Sequence, residues 1–109
     1  MAYSEELADR VRDVLGDRGG VTERKMFGGV AWMIEGNMAC GVLGDGVLVR
    51  LEREDVARAL AEPHVGPMEF TGRRMSGFVV VDEAGVAEEA DLVRWVDTGA
   101  DYAASLPAK

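Results

Sequence analysis

Two adjacent arginines, Arg73 and Arg74, are the side chains of this sequence with the clearest capacity for ligand chemistry. They stand in the segment FTGRRMSGF, residues 70–78, between glycines at positions 72 and 77. Two guanidinium groups beside open backbone amides are suited to holding a carboxylate or a phosphate. With Lys25 as a third cation, they form a candidate small-anion site. The more ordinary interpretation is that the arginines pair with carboxylates of the same chain.

Catalytic chemistry has two further candidate side chains, Cys40 and His64. Cys40 lies inside a predicted strand between Ala39 and Gly41, which supply no charge to stabilise a thiolate, so it is interpreted as a small core residue. His64 lies in a predicted loop, and no nucleophile is placed to use it as a base. Acidic residues at predicted helix starts are explained by the helix dipole. The sequence therefore predicts no enzyme, no metal site and no cofactor.

Composition restricts the classes of protein to which the chain can belong. It has 109 residues, 20 acidic and 12 basic, with a net charge of -8. This length is typical of one domain, assigned to residues 1–109, and the acidic balance disfavours direct binding to nucleic acid. A single cysteine excludes an internal disulfide, and no signal-peptide or membrane-span pattern is present. We expect a single-domain cytoplasmic protein without membrane contact.

Hydrophobic patterning predicts the elements that must position these side chains. Ser4 caps a first helix that ends near Gly16, and short β-rich runs occupy residues 22–51. A second helix, residues 53–62, is stopped by Pro63 and followed by an irregular stretch over residues 63–69. A strand at residues 77–82 and a final helix from Glu88 complete the chain. This order, helix, β-meander, helix, β-strands, helix, predicts an α+β domain with about three helices on one face of an antiparallel sheet.

The β-meander predicts a second apolar sheet face. Hairpin loops at Gly36-Asn37 and Asp45-Gly46 direct alternate residues to the helices and place Trp32 opposite Gly41. The helix-facing set is Ala31, Met33, Met38, Cys40, Val42, Val47, Val49 and Leu51. The opposite set is also apolar and predicts a partner or dimer face at Val30, Trp32, Ile34, Leu43, Leu48 and Arg50. A one-residue change in either loop exchanges the faces within a strand.

Four short motifs carry a family resemblance. They are KMFGG at Lys25–Gly29, GNM at Gly36–Met38, GVLGD at Gly41–Asp45 and FTGRRMSGF at residues 70–78. Together with their flanks they resemble the N-terminal domain of the TfoX/Sxy family over nearly the whole chain. The resemblance implies an α+β domain of three helices and an antiparallel sheet, similar to the secretion-chaperone fold.

The same resemblance implies a regulatory role. Named members of the family are positive regulators of DNA uptake and competence genes, and act as coactivators alongside the cAMP receptor protein. It therefore implies a protein partner in the transcription machinery or a factor like the cAMP receptor protein, and it supplies no catalytic residue. Those regulators carry a second, C-terminal helical domain, whereas this sequence ends at SLPAK, so we expect a stand-alone N-terminal domain.

Three hypotheses of function follow. The first is a non-enzymatic protein-interaction module in transcriptional regulation that uses the apolar sheet face, with a homodimer as a variant of it. The second is a small-anion or metabolite sensor at Lys25, Arg73 and Arg74. The third is a hydrolase or transferase, which has the least support because no acid, base and nucleophile are grouped.

Overall fold

The computed structural model describes residues 3–26, 28–70 and 72–108, apart from the side chains of Phe70, Arg73 and Arg74. Within these ranges three helices and six strands follow one another, with a short 3₁₀ turn, Glu83–Val86, before the last helix. In chain order they are α1 (Glu5–Leu15), β1 (Val21–Met26), β2 (Gly29–Ile34), β3 (Asn37–Leu43), β4 (Gly46–Arg50), α2 (Arg53–Leu60), β5 (Val65–Phe70), β6 (Arg73–Val81) and α3 (Glu89–Ser105). The predicted α+β class and order of elements are confirmed.

The strands form one antiparallel sheet in the order β1-β2-β3-β4-β6-β5. Helix α3 lies across β3 and β4, α1 packs beside α3, and α2 packs against β6 and β5. Beneath them runs a row of directly paired valines from four strands, each at most 1 % exposed: Val30, Val42, Val47 and Val81. Stiff β-branched side chains fill this pleated surface well. The main core therefore lies between the sheet and its helices.

Local sequence determines where the helices begin and end. Ser4 caps α1 by accepting a hydrogen bond from the Leu7 N–H at 3.1 Å, and Gly16 follows the last turn with a positive φ of 48°. Helix α3 ends before Pro107, whose carbonyl accepts a 2.9 Å hydrogen bond from the side chain of Asn37. This bond holds the end of the last helix to the start of β3.

Residues 63–69, predicted to be irregular, are largely strand β5, so that prediction is wrong. The stretch contains Pro67, which has no N–H to contribute to a ladder. β5 is an edge strand, however, where one side of the backbone needs no partner. The position of the strand in the sheet thus removes the cost that proline has in a central strand.

The predicted register of the meander is also wrong, and the faces of β2 exchange as a result. The first hairpin turns at Glu35-Gly36, both with positive φ, so that Ile34 pairs with Asn37. The register then shifts by one residue, because Trp32 pairs with Cys40 and Ala39 is left over as a bulge. The second hairpin pairs Leu43 with Gly46.

Helix α3 contacts the sheet at the bulge. Ala39 and Cys40 are both fully buried on the helix side, and Gly99 of α3 sits directly over Ala39. A β-carbon at Gly99 would collide with the Ala39 carbonyl oxygen. The close approach of helix and sheet at this point therefore depends on glycine.

We predict that Gly99→Ala destabilises the fold. Alanine improves helix propensity by about 1 kcal/mol, but the clash is with backbone and must separate α3 from the sheet. We expect a net loss of about 1–2 kcal/mol in the free energy of unfolding, as for other overpacked cores, measured by chemical denaturation. Gly19→Ala is the control, because a β-carbon there has no atom within 4 Å. Unchanged or increased stability of Gly99→Ala would contradict the close contact.

Candidate interaction surface

The sheet surface away from the helices is apolar and rich in methionine. It contains five of the six methionines in the chain, together with five other apolar residues, and we call it the methionine face. Its members are Met26, Ala31, Met33, Met38, Leu43, Leu48, Met68, Met75, Phe78 and Val80. All of them lie on strands. At one end of the face, Met75 and Phe78 border α2 and share a small cleft with its Val56 and Leu60.

Strand pairing aligns the methionine face in rows. The central row runs from Arg24 through Ala31, Gly41 and Leu48 to Val80 across five strands. On either side of its small middle residues lie larger apolar side chains. Met33 and Met38 pair on one side, and Met26 and Leu43 lie on the other. Because directly paired residues share a face, the register fixes this arrangement.

Burial across the methionine face is graded. Ala31, Leu48 and Met68 are at most 3 % exposed, and the apolar residues clustered with them lie on strands. Around them Met26, Met33, Leu43, Met75, Phe78 and Val80 remain half-buried. Partly exposed apolar side chains grouped on one surface are typical of a contact site for another molecule. Methionine suits such a site because its unbranched thioether adapts to different shapes.

Trp32, predicted to lie at the partner face, belongs to the helix-covered core. It is 2 % exposed, and its indole N–H donates a 2.9 Å hydrogen bond to Glu23 Oε1. Glu23 in turn accepts bonds of 2.8 and 2.9 Å from the Arg12 guanidinium of α1. These contacts raise the pKa of Arg12 and, chiefly through the Arg12 bond, lower the pKa of Glu23. The trio joins α1 to β1 and β2.

The six residues predicted to form one partner face do not share a face. Val30, Trp32 and Ile34 pack beneath the helices, whereas Leu43 and Leu48 belong to the methionine face. Arg50 pairs with Phe78, and its guanidinium carbon lies 5.8 Å from the Phe78 ring centroid and 5.7 Å from that of Tyr102. The predicted common surface is wrong for the β2 residues because of the register shift. That the sheet has a second apolar face is correct, but the predicted register placed Met33 and Met38 on the helix side instead of on this face.

The predicted anion site is divided by the fold. Lys25 on β1 lies in the sheet row that reaches Val81 on β6. Val81 is eight residues along β6 from Arg73, and β6 is four strands from β1. Its Nζ lies 5.8 Å from the Tyr3 ring centroid. Lys25 is therefore distant from the β5–β6 hairpin that contains Arg73 and Arg74. The side chains of Arg73 and Arg74 lie outside the described part of the molecule, and an anion site there stays a prediction.

Cys40 and His64 are far from forming a catalytic pair. The Cys40 thiol is completely buried, and burial raises its pKa to about 12, so that it is protonated at neutral pH. His64 lies beside Asp82, with Nδ1 3.2 Å from the Asp82 Oδ1 oxygen. No nucleophilic side chain in the described ranges forms a hydrogen bond to this histidine.

Comparison with known proteins agrees with the motifs. The family model of the TfoX N-terminal domain matches residues 13–103. The chain belongs to the TfoX N-terminal domain family. It is thus a competence-regulator-like domain, from a family not known as enzymatic. The chain has no significant match among curated proteins or among solved structures. No helix in the described part of this TfoX N-terminal domain is long and apolar enough to cross a membrane.

The TfoX motifs coincide with the backbone features that build the sheet. KMFGG forms the turn between β1 and β2, apart from Phe27, which lies outside the described residues. GNM contains the Asn37 side chain that bonds Pro107, and GVLGD begins at Gly41, where a β-carbon would lie 2.8 Å from the Val30 carbonyl oxygen. These motifs therefore identify how the TfoX sheet is paired.

We predict that Glu23→Gln weakens the pH dependence of stability. The pKa of Glu23 is lower in the folded state than its ordinary value of 4.5. Its ionised form therefore contributes fully to the free energy of unfolding when the pH is above the ordinary pKa, and this contribution disappears as the pH falls through the lower pKa of the folded state. Glu23 is 38 % exposed, so we expect a contribution of no more than about 1 kcal/mol.

Denaturation of both chains at pH 7 and pH 3 measures this effect. The parent chain should lose more stability between the two pH values than Glu23→Gln does. Glu54→Gln serves as the control because Glu54 is exposed on α2 and forms no ion pair with a described residue. Equal losses in the parent chain and in Glu23→Gln would contradict the role of the Arg12 contact.

The Cys40 thiol should resist modification in the native state. Because it is buried and protonated, we expect an aromatic disulfide reagent at pH 8 to modify the folded chain roughly a hundredfold more slowly than the chain in denaturant. Absorbance of the released thiolate measures both rates. A native rate close to the denatured rate would place the thiol at an accessible site.

Proposed function

We propose that this TfoX N-terminal domain is a non-enzymatic protein-interaction module in transcriptional regulation, and that the methionine face is its docking surface. The observation that carries the proposal is the group of half-buried apolar side chains on the sheet surface that the helices do not cover. Contiguous apolar surface of this kind is costly to leave in water unless a partner covers it.

The role in transcription rests on family membership. Membership of the TfoX N-terminal domain family supports the assignment of a competence-regulator-like domain. The net charge of -8 makes recruitment through protein contacts more favourable than direct contact with DNA. We propose a component of the transcription machinery, or a factor like the cAMP receptor protein, as the partner. A single reduced cysteine suits the cytoplasm, where such a partner acts.

A non-enzymatic role fits the state of the two candidate catalytic side chains. Cys40 is buried beneath the helices as a protonated thiol, and His64 is engaged with Asp82. Neither contributes to the methionine face. The proposal therefore assigns Cys40 to the core and assigns binding to the opposite side of the sheet.

Met33→Glu should abolish partner capture without unfolding the chain. Met33 is half-buried on the methionine face, so a glutamate there reaches water in the free protein but places a charge within an apolar contact. The measurement is affinity capture from native lysate followed by mass spectrometry. We expect a transcription factor or RNA polymerase subunit to be enriched by the parent chain and lost with Met33→Glu.

Ala104→Glu is the matched control, because it adds the same charge at an exposed position of α3. Amide NMR spectra of both variants must first show an intact fold. Equal recovery of the transcription protein by the parent chain and Met33→Glu would contradict docking at this face. Recovery of no transcription protein by the parent chain would contradict the regulatory role.

A further inference from the structure

The positive charges of this acidic domain are distributed unequally between its two sides. On and around the helices, five of the six arginines pair with carboxylates, and Arg53 at the start of α2 is the exception among the described residues. The pairs are Arg10 with Glu89, Arg12 with Asp9 and Glu23, Arg18 with Asp97 and Asp101, Arg58 with Asp55, and Arg94 with Glu62. The carboxylates neutralise these cations within the chain itself. They are therefore poor candidates for contacts with another molecule.

The strands of the methionine face show the opposite charge pattern. Arg24 pairs with Ala31 and Arg50 pairs with Phe78, so both belong to rows of this face. Arg50 stands where the face borders α3, because its guanidinium also approaches the ring of Tyr102. Neither forms an ion pair with a carboxylate of residues 3–26, 28–70 or 72–108. By strand alternation, the other positions that β1–β4 contribute to this side are Thr22, Met26, Gly29, Ala31, Met33, Met38, Gly41, Leu43, Gly46 and Leu48. None of these is acidic.

An apolar surface flanked by unneutralised arginines is complementary to an apolar partner that carries carboxylates. We propose that the methionine face binds an amphipathic helix of a partner protein, with its apolar side on the methionines and acidic side chains beside Arg24 and Arg50. This inference rests on the proposed function and specifies the partner's chemistry. It concerns the surface centred on Leu48 and Met33.

The backbone chemistry of the partner favours a helix over an extended segment. A helix satisfies its N–H and C=O groups internally, so it can lie on an apolar surface without leaving them unpaired. An extended segment satisfies them only at a sheet edge, and the methionine face is the flat surface of the sheet. Six strands at about 4.8 Å spacing give a width of about 24 Å, which matches a helix of about 16 residues.

A second copy of the chain is a poorer occupant of this face. In a two-fold symmetric dimer the same patch meets itself. The arginines of both copies would then lie in one interface to which the positions of this face on β1–β4 bring no carboxylate. Like charges placed together at an interface disfavour association. An acidic helix instead neutralises Arg24 and Arg50.

Two synthetic helices of about 16 residues test the proposal. Both carry leucines along one side, and the flanks carry glutamates in one peptide and lysines in the other. Binding is followed in a chain labelled with ¹³C at its methionine methyl groups, because five methionines lie on the proposed surface. We expect the acidic peptide to shift these signals and to bind at least about fivefold more tightly than the basic one, with the difference decreasing at high salt.

Charge reversal locates the binding side. Arg24→Glu should weaken binding of the acidic peptide about fivefold, whereas Arg58→Glu should leave it unchanged. Arg58 is the matched control because it is 81 % exposed on α2, and both changes alter the net charge equally. Equal weakening by the two variants would overturn the assignment to the methionine face.

The remaining outcomes separate this inference from the proposed function. Equal binding of both peptides with methionine shifts would keep the face as a docking surface and overturn its preference for acidic helices. Shifts that depend on chain concentration without peptide, with a dimer in light scattering, would make a second copy the occupant. Absence of both peptide binding and self-association overturns the helix inference. Loss of Met33-dependent capture in addition would overturn the proposed function.

Discussion

The pairing of β2 with β3 determines which side chains lie beneath the helices and which face the other way. Side chains alternate along a strand, so a shift of one residue would bring Ala31 and Met33 under the helices and expose Val30, Trp32 and Ile34. The turn at Glu35-Gly36 and the extra residue Ala39 together prevent that shift. Helix α3 rests on the same bulge through Gly99. The register of one hairpin thus positions both the core and the methionine face.

The two faces of the sheet differ in the types of side chain they carry as well as in what covers them. Valines and Trp32 fill the helix side, where β-branched side chains have few rotamers and pack in a defined way. The other side has methionines, whose three rotatable bonds let them fill irregular spaces. Stability therefore comes mainly from the rigid side of the sheet. The side with methionines can vary its packing without disturbing Trp32 or its contacts with Glu23 and Arg12.

Local signals in the sequence predicted the helices well, because caps and stops are local. Ser4 and Gly16 mark the ends of α1, and Pro107 follows α3, all within a few residues of the feature they determine. The strand pairing was not predictable in this way. The prediction that residues 63–69 are irregular was wrong because a strand can contain Pro67 only at the edge of the sheet. That edge position results from the pairing of β5 with β6, which local sequence does not reveal. The exchange of faces in β2 was not predicted, because it arises from the extra residue Ala39, which shifts the pairing of β2 with β3 by one residue.

The difference between what identifies the family and what would bind a partner has a physical basis. The motifs that show membership of the TfoX N-terminal domain family lie where the backbone allows few residues, as at Gly41 against the Val30 carbonyl. Such positions restrict the residue type strongly and can be recognised in a single sequence. The methionine face requires only apolar side chains of suitable size, a condition that leucine or isoleucine also meets. In the proposed complex, specificity would then depend on the few charged positions of that surface, Arg24 and Arg50, because apolar contacts alone discriminate poorly between apolar helices.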